Sequence, residues 1–323
     1  MSDDPHISVA PPSITMTPLA APTLAAPAVA QSPPSAARRA LRSPAVIIGG
    51  MIVLVMIVIG ALAPFLSSLS PTDISPAARN KVPGTERTVR DDSGNPVKVM
   101  YRFGTDSLGR DIYSRTLYGA RVSIFIGLVV AAISIVAGMF IGIAAGYFRW
   151  LDPIVMRIMD GLMAIPAILL AIAVVSLFRA GIGAVILAIT VPEIPRVVRL
   201  VRSIVLSVRE EPYVEAAVSL GTPTLKLLWR HILPNTIAPL IVQGTFICAS
   251  AILTEAILSF LGIGIPPETP TWGNIMAEGR QVFLILQHSI IYPGIFLAVT
   301  VLAVNMLGDG LRDTLDPKMA KRV

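Results

Sequence analysis

Residues 122–148 read VSIFIGLVVAAISIVAGMFIGIAAGYF, a long uncharged apolar run that follows the first polar loop. It contains no Asp, Glu, Lys or Arg. An α-helix rises about 1.5 Å per residue, so about 20 apolar residues cross a hydrocarbon core of about 30 Å. The stretch therefore predicts a transmembrane helix. Gly138, Gly142 and Gly146 form two overlapping GxxxG units on one face of that helix. Because glycine lets a second helix approach closely, we expect these three residues to form a packing face.

Five more apolar stretches predict further transmembrane helices, which makes an all-α membrane protein with six spans. They are residues 45–66, 154–178, 182–201, 237–262 and 289–308. Pro166 lies inside the third span in chain order, and Pro192 and Pro195 lie inside the fourth. Each proline removes a backbone donor, so we expect the fourth span to bend or break.

The composition agrees with a membrane protein. The chain of 323 residues is 54% hydrophobic and 14% charged, whereas soluble domains carry roughly 25% charged residues. This excludes an ordinary soluble fold. Lys and Arg number 26 against 20 Asp and Glu. In a membrane protein this excess indicates cytoplasmic segments that face anionic lipid, and it gives no reason to expect a nucleic-acid partner.

Charge and composition also predict the orientation and the domains. Arg38, Arg39 and Arg42 precede the first span and favour a cytoplasmic N-terminus, and six spans then return the C-terminus to the same side. The Pro/Ala-rich start of the chain has no hydrophobic period and predicts disorder. The expected segments are a disordered cytoplasmic tail (1–44), the first span with an extracytoplasmic loop (45–118), a core of five spans with a cytoplasmic loop at 202–236 (119–310), and a basic cytoplasmic tail (311–323).

The sequence shows no catalytic motif. It has no P-loop, no H-E-x-x-H and no G-x-S-x-G, and Cys248 is its one cysteine. The histidines at 6, 231 and 288 are too scattered to suggest a ligand set. We therefore expect no catalytic residue, no metal site and no cofactor bound by this chain.

Four charged residues fall inside predicted spans. Arg157 and Asp160 are three residues apart and can pair on one helix face. Glu193 lies between two prolines, and Glu255 lies in the fifth span. Charges at this depth are costly and face a bundle interior or a water-filled path. These residues therefore either line a translocation path or form buried structural pairs.

The 202–236 loop predicts two short helices. Glu215 to Leu220 can form the first, and Gly221 can end it in a left-handed conformation. Pro223 can start the second helix, and Pro234 can end it before the fifth span. Ala216 and Ala217 leave a low surface beside the charge of Glu215. Such a surface suits docking into a groove of a soluble partner, although an amphipathic helix lying on lipid fits the same pattern.

These residues resemble a known family. Glu215-Ala216-Ala217, Gly221 and Ile232-Leu233-Pro234 resemble the EAA loop of ABC importer permeases, with His231 at a place that is usually apolar. Further motifs are similar to the C-type subunit of the dipeptide/oligopeptide/nickel subfamily, and the resemblance covers about residues 40–320. Those motifs are FGTDSLGRD (103–111), SR (114–115), YGARVS (118–123), RHILPN (230–235), LSFLG (258–262), TWGN (271–274) and NMLGDGLRDTLDP (305–317).

The resemblance implies a type I importer permease fold in a bacterial inner membrane. It implies a second homologous permease subunit, two ATP-binding subunits that hold ATP and Mg, and an extracytoplasmic substrate-binding protein. Glu215, Ala216, Ala217 and Gly221 would form the coupling helix on which an ATPase docks, and dipeptides or oligopeptides would be the cargo. Extracytoplasmic segments of the permease would meet the binding protein.

Three other functions compete with this one. A secondary transporter would need a site near the membrane midplane, and the Pro192-Glu193-Pro195 segment is a candidate break. A membrane-embedded enzyme would need a nucleophile or metal set that the sequence does not show. An assembly protein would account for the packing glycines. None of the three needs an EAA loop.

Overall fold

The fold is a bundle of long helices with one small β-hairpin. A computed structural model describes residues 40–67, 69–90 and 96–315. The predicted disorder of the tail therefore lies almost entirely outside the described residues, as do residues 316–323. The α-helices are α1 (Pro44–Ala61), α2 (Ala63–Leu66), α3 (Ile112–Tyr147), α4 (Asp152–Ala164), α5 (Ala167–Val175), α6 (Ile182–Arg209), α7 (Pro212–Ser219), α8 (Thr224–Leu227), α9 (Leu233–Phe260), α10 (Trp272–Arg280) and α11 (His288–Leu315). A 3₁₀ turn (Pro76–Ala78), a π turn (Leu228–Ile232) and strands β1 (Thr85–Arg90) and β2 (Pro96–Tyr101) complete the described elements.

Four helical segments of the described chain are long and apolar enough to cross a membrane. They are α1, α3, the continuous segment Thr224–Phe260 and α11. The pair α4 and α5 makes a fifth if its bent halves count as one span. Helix α6 is long, but Arg196, Arg199 and Arg202 make it more polar than these. The structure thus supports a mostly helical membrane protein with four or five clear spans.

The predicted third span, 154–178, is not one continuous helix. Helices α4 and α5 meet at an angle of 92°. Pro166 disfavours helical geometry in the residue before it, and Ile165 has an extended backbone with φ −92° and ψ 130°. Helix α5 then ends at Val175, before the predicted end of the span.

The expected break in the fourth span is absent. Helix α6 runs from Ile182 to Arg209 with Pro192 and Pro195 inside it, and it continues beyond the predicted end at residue 201. Val197, Val201 and Val205 are buried along one face of α6. This face packs against α3, and prolines are tolerated inside transmembrane helices that pack against neighbouring helices.

The second span begins earlier than predicted, and its preceding loop is partly structured. Helix α3 starts at Ile112 because Asp111 caps it: the backbone N–H of Ser114 donates to Asp111 Oδ2 at 2.8 Å. Before it, β1 and β2 pair antiparallel, with Thr85 opposite Tyr101. The fold is therefore mostly helical rather than all-α, and residues 112–118 belong to a helix rather than to a loop.

The most extensive helix contact among the described residues joins α3 to α6, and the three glycines of α3 lie in it. A Cβ atom at Gly142 would lie 2.8 Å from Val201 Cβ, and one at Gly146 would lie 2.8 Å from Val205 Cβ. Gly138 meets Val197 in the same way. Helix α9 also packs against α3, and α11 packs against both α1 and α9. The buried core lies among these helices.

Candidate functional site

Helix α7 carries the Glu-Ala-Ala residues on an exposed surface. Glu215 and Ala216 are exposed, Ala217 is half-buried, and Val214 anchors the helix with 1% exposure. Pro212 occupies the first turn, where its missing N–H costs no hydrogen bond. Helix α7 is therefore anchored by Val214 and exposes the Glu215 carboxylate and the small Ala216 side chain.

Gly221 ends α7 as the sequence predicts. Its φ is +76°, in the left-handed region that favours glycine. The N–H of Gly221 donates to the carbonyl of Val218 at 2.9 Å, and the N–H of Thr222 donates to that of Ala217 at 3.1 Å. These two bonds form a Schellman motif, which satisfies carbonyls at the helix end. The turn that separates α7 from α8 is thus determined by Gly221 and its immediate neighbours in sequence.

The second predicted helix does not end at Pro234. Helix α8 passes through the π turn into α9, so Thr224–Phe260 is one continuous helical segment. Pro234 lies in the first turn of α9, where a proline is tolerated. Ile232 is fully buried, and His231 is half-buried beside the Tyr213 ring at a centroid distance of 6.0 Å. His231 thus packs beside an aromatic ring.

A brace connects this loop to the end of α3. Arg209 Nη1 donates to the carbonyl oxygens of Gly146 and Tyr147, both at 3.1 Å. Its guanidinium lies 5.5 Å from the Tyr147 ring centroid, within cation–π distance. The Tyr147 hydroxyl reaches Thr224 Oγ1 at 3.5 Å. The brace was not predicted because its partners are distant in sequence.

The loop also exposes large apolar side chains. Leu220 is 86% exposed and Leu225 is 68% exposed. Tyr213, Val218 and Trp229 add to this surface. We call these five residues, with Glu215 and Ala216, the α7 patch. Exposed apolar side chains in a loop of this kind are compatible with contact to a partner protein or to lipid.

Asp160 has a different partner from the predicted one. Asp160 accepts from Arg199 Nη2 of α6 at 2.5 Å, and Arg157 is exposed on α4 and forms no ion pair with Asp160. The expected pairing within α4 is therefore wrong. Glu193 is buried and accepts from Arg196 Nη1 at 3.2 and 3.3 Å.

Glu255 is the most deeply buried of these carboxylates. It is fully buried in α9 and accepts hydrogen bonds from Ser259 Oγ at 2.8 Å and Ser123 Oγ at 3.3 Å. Hydroxyl donors satisfy a buried carboxyl group at least in part. Glu255 thus lies within the α3–α9 contact rather than on an open face.

A buried ionic cluster lies at the other end of α3. Arg110 pairs with Glu278 of α10 and donates from Nε to Asp106 Oδ2 at 2.7 Å. Arg115, with a fully buried side chain, lies 3.4 Å from Glu278 Oε2. Burial lowers the pKa of Arg110, but the bond to Glu278 and the nearby carboxylates outweigh burial and raise that pKa above its ordinary value.

Two motifs that are distant in the sequence, 103–111 and 271–274, meet near this cluster. Asp106 and Arg110 belong to the 103–111 stretch, and the Trp272 indole N–H of the 271–274 stretch donates to the Thr116 carbonyl at 3.1 Å. Asn274 Nδ2 donates to the carbonyl of Ile265 at 3.0 Å, which fixes the preceding turn. The cluster therefore ties the loop before α3 to α10.

The described residues contain no group of three or more His, Cys, Asp or Glu side chains placed to hold a metal ion. The features described above are the exposed α7 patch, the charged side chains of α4, α6 and α9, and the buried ionic cluster around Arg110. None of them is a nucleophile–base arrangement.

The chain matches two family models. Residues 134–321 match the binding-protein-dependent transport system inner membrane component. Residues 35–83 match the N-terminal transmembrane domain of oligopeptide transport permease C.

Individual relatives are similar over most of their length. A probable peptide ABC transporter permease of Sinorhizobium fredii is 50% identical, covering 88% of this chain and 93% of the relative. A dipeptide transport system permease of Alkalihalophilus pseudofirmus is 39% identical over 84% and 86%. A glutathione transport system permease of Pectobacterium atrosepticum is 38% identical over 87% and 90%. The chain therefore belongs to the family of binding-protein-dependent transport system inner membrane components, as a multi-pass inner-membrane ABC transporter permease of the dipeptide/oligopeptide/nickel subfamily, C type.

Proposed function

We propose that this chain is one of two permease subunits in an ATP-driven importer of dipeptides or oligopeptides. In this proposal two ATPase subunits, which bind ATP and Mg, dock at the permease loops, and an extracytoplasmic binding protein delivers the cargo. The curated relatives named for peptide, dipeptide and glutathione transport support a peptide cargo.

The exposed α7 patch is the observation that carries the proposal. A self-sufficient carrier has no use for a capped helix that exposes Glu215 and Leu220 beside the exposed Leu225. A soluble partner would cover the apolar surface and place a cation against the carboxylate. The Arg209 brace, which joins the end of α6 to the end of α3, would then transmit movement of the loop to both helices.

The proposal includes six spans with both termini in the cytoplasm. Helix α6 supports the count because it packs along α3, itself long and apolar enough to span. The bent pair α4 and α5 would supply the remaining span. With this orientation the α7 patch lies in the cytoplasm, and the Arg110 cluster lies on the outer side with the segments that meet a binding protein.

A gentle detergent pull-down of the tagged chain, followed by mass spectrometry, tests the subunit assignment. We expect a second permease chain and one or two P-loop ATPases to be recovered with it. Recovery of the chain alone, together with substrate movement in liposomes without ATP, would overturn the proposal in favour of a secondary transporter.

A further inference from the structure

Helix α6 has two faces of opposite character. Val197, Val201 and Val205 are buried against the glycines of α3. The other face carries exposed polar residues three or four positions apart, so they stack on one side of the helix. We call it the α6 polar face, and its members are Arg196, Arg199, Ser203 and Ser207.

Arg196, the first member of this face, lies near the middle of the apolar length of α3. Val197 meets Gly138, so its neighbour Arg196 is level with that glycine. Gly138 is close to the middle of the uncharged stretch 122–148. An arginine at such depth is costly against hydrocarbon and faces protein or a water-filled cavity instead. We therefore expect Arg196 to face protein or water rather than lipid.

Arg196 forms an ion pair with Glu193 that uses only one of its terminal nitrogens. Its Nη1 donates to both carboxylate oxygens of Glu193, which also accepts from Ser250 Oγ at 3.1 Å. The Glu193 side chain is 5% exposed, whereas that of Arg196 is 50% exposed. No other hydrogen-bond partner of Arg196 lies among the described residues. Glu193 therefore holds the Arg196 guanidinium through Nη1. The Nε and Nη2 donors have no partner among the described residues and can bind an anion.

We propose that the α6 polar face lines a water-filled path and that Arg196 binds the C-terminal carboxylate of the peptide in transit. The planar guanidinium matches a carboxylate through two parallel hydrogen bonds, which a lysine cannot reproduce. This inference rests on the proposed peptide import. It adds a cargo contact within the permease.

The test uses the full complex in proteoliposomes with its binding protein and ATP. The probes are a dipeptide and its C-terminal amide, each at a concentration that calorimetry shows to saturate the binding protein. Arg196→Gln should slow uptake of the free acid by roughly tenfold, as loss of one charged hydrogen bond does, and leave uptake of the amide unchanged. Arg179→Gln, at an exposed position outside this face, should change neither rate.

Equal slowing of both peptides by Arg196→Gln would mean that Arg196 packs against the second permease, and the inference would be wrong. An inactive wild-type complex would instead count against the proposed import itself. These two failures are therefore distinguishable.

Thiol labelling covers the case in which the variant does not assemble or the amide does not bind. In a Cys248→Ala chain, the thiol introduced by Ser203→Cys should react with a charged, membrane-impermeant thiol reagent, and the free-acid dipeptide with binding protein and ATP should slow that reaction. Phe140→Cys, on an exposed apolar part of α3, is the control and should stay unreactive. A Ser203→Cys chain that does not react, or that the dipeptide does not protect, would refute a cargo path along α6.

Discussion

Gly142 and Val201 are in such close contact that a Cβ atom on the glycine would stand 2.8 Å from Val201 Cβ and 2.9 Å from the carbonyl oxygen of Val198. The second of these atoms is backbone, so a side-chain rotation alone cannot make room. The α3–α6 packing therefore depends on the absence of a side chain at position 142.

Replacing Gly142 with Leu should destabilise the protein by about 1–3 kcal/mol, the usual cost of overpacking, and should reduce assembly in detergent. Thermal unfolding and size-exclusion chromatography measure the two effects. Gly161→Leu is the matched control, because Gly161 has open space around it. If Gly142→Leu behaved like the control, close packing of α3 on α6 would be wrong.

Glu278→Gln should destabilise the loop before α3 by about 3 kcal/mol, because it leaves two buried guanidinium groups, Arg110 and Arg115, short of negative charge. The midpoint of thermal denaturation in detergent measures the loss. Glu268→Gln, at an exposed position in the turn before α10, should leave the midpoint unchanged. A stable Glu278→Gln protein would show that the cluster adds nothing to the fold.

Gly221→Ala should loosen α7 rather than the bundle. The left-handed φ of +76° costs an alanine about 1 kcal/mol, although no atom lies close enough to clash. Hydrogen exchange at residues 215–222 should therefore become several times faster, with exchange in α3 unchanged. Gly183→Ala serves as the control, since Gly183 has equal space and no left-handed φ. Equal exchange in both variants would contradict the capping role.

Glu215→Lys should leave the chain inserted and folded, because Glu215 is exposed and forms no ion pair within the described residues. Under the proposed docking it should weaken ATPase association and uptake together, since the charge that faces a basic partner is reversed. Co-purification with the ATPases and uptake by the reconstituted complex measure both. Glu86→Lys makes the same reversal on the exposed β-hairpin and should be neutral. If the Glu215→Lys complex took up substrate at the wild-type rate, the proposed role of Glu215 in docking would be wrong.

The features that the sequence predicted well depend on local information. A long apolar run predicts a transmembrane helix without knowledge of its neighbours. The starts of α1 and α11 accordingly lie within one residue of the predicted starts at 45 and 289. The left-handed turn at Gly221 likewise needs only the residue type. The bend at Ile165 was not predicted, although Pro166 is the local signal that could have indicated it.

The features that the sequence missed depend on neighbours in space. Helix α3 extends into a charged segment because Asp106 and Glu278 neutralise Arg115 there. Asp160 pairs across to Arg199 on α6, although Arg157 is closer in sequence. Such partners follow from the packing of helices, which hydropathy and spacing along one chain do not specify.

The decisive measurement of ATP-driven import is uptake of a labelled dipeptide into proteoliposomes that contain this permease, its partner permease and the two ATPases. We expect accumulation that needs both ATP and the binding protein, and that stops when the ATPases are omitted. Uptake by this chain alone, independent of ATP and driven by an ion gradient, would contradict it.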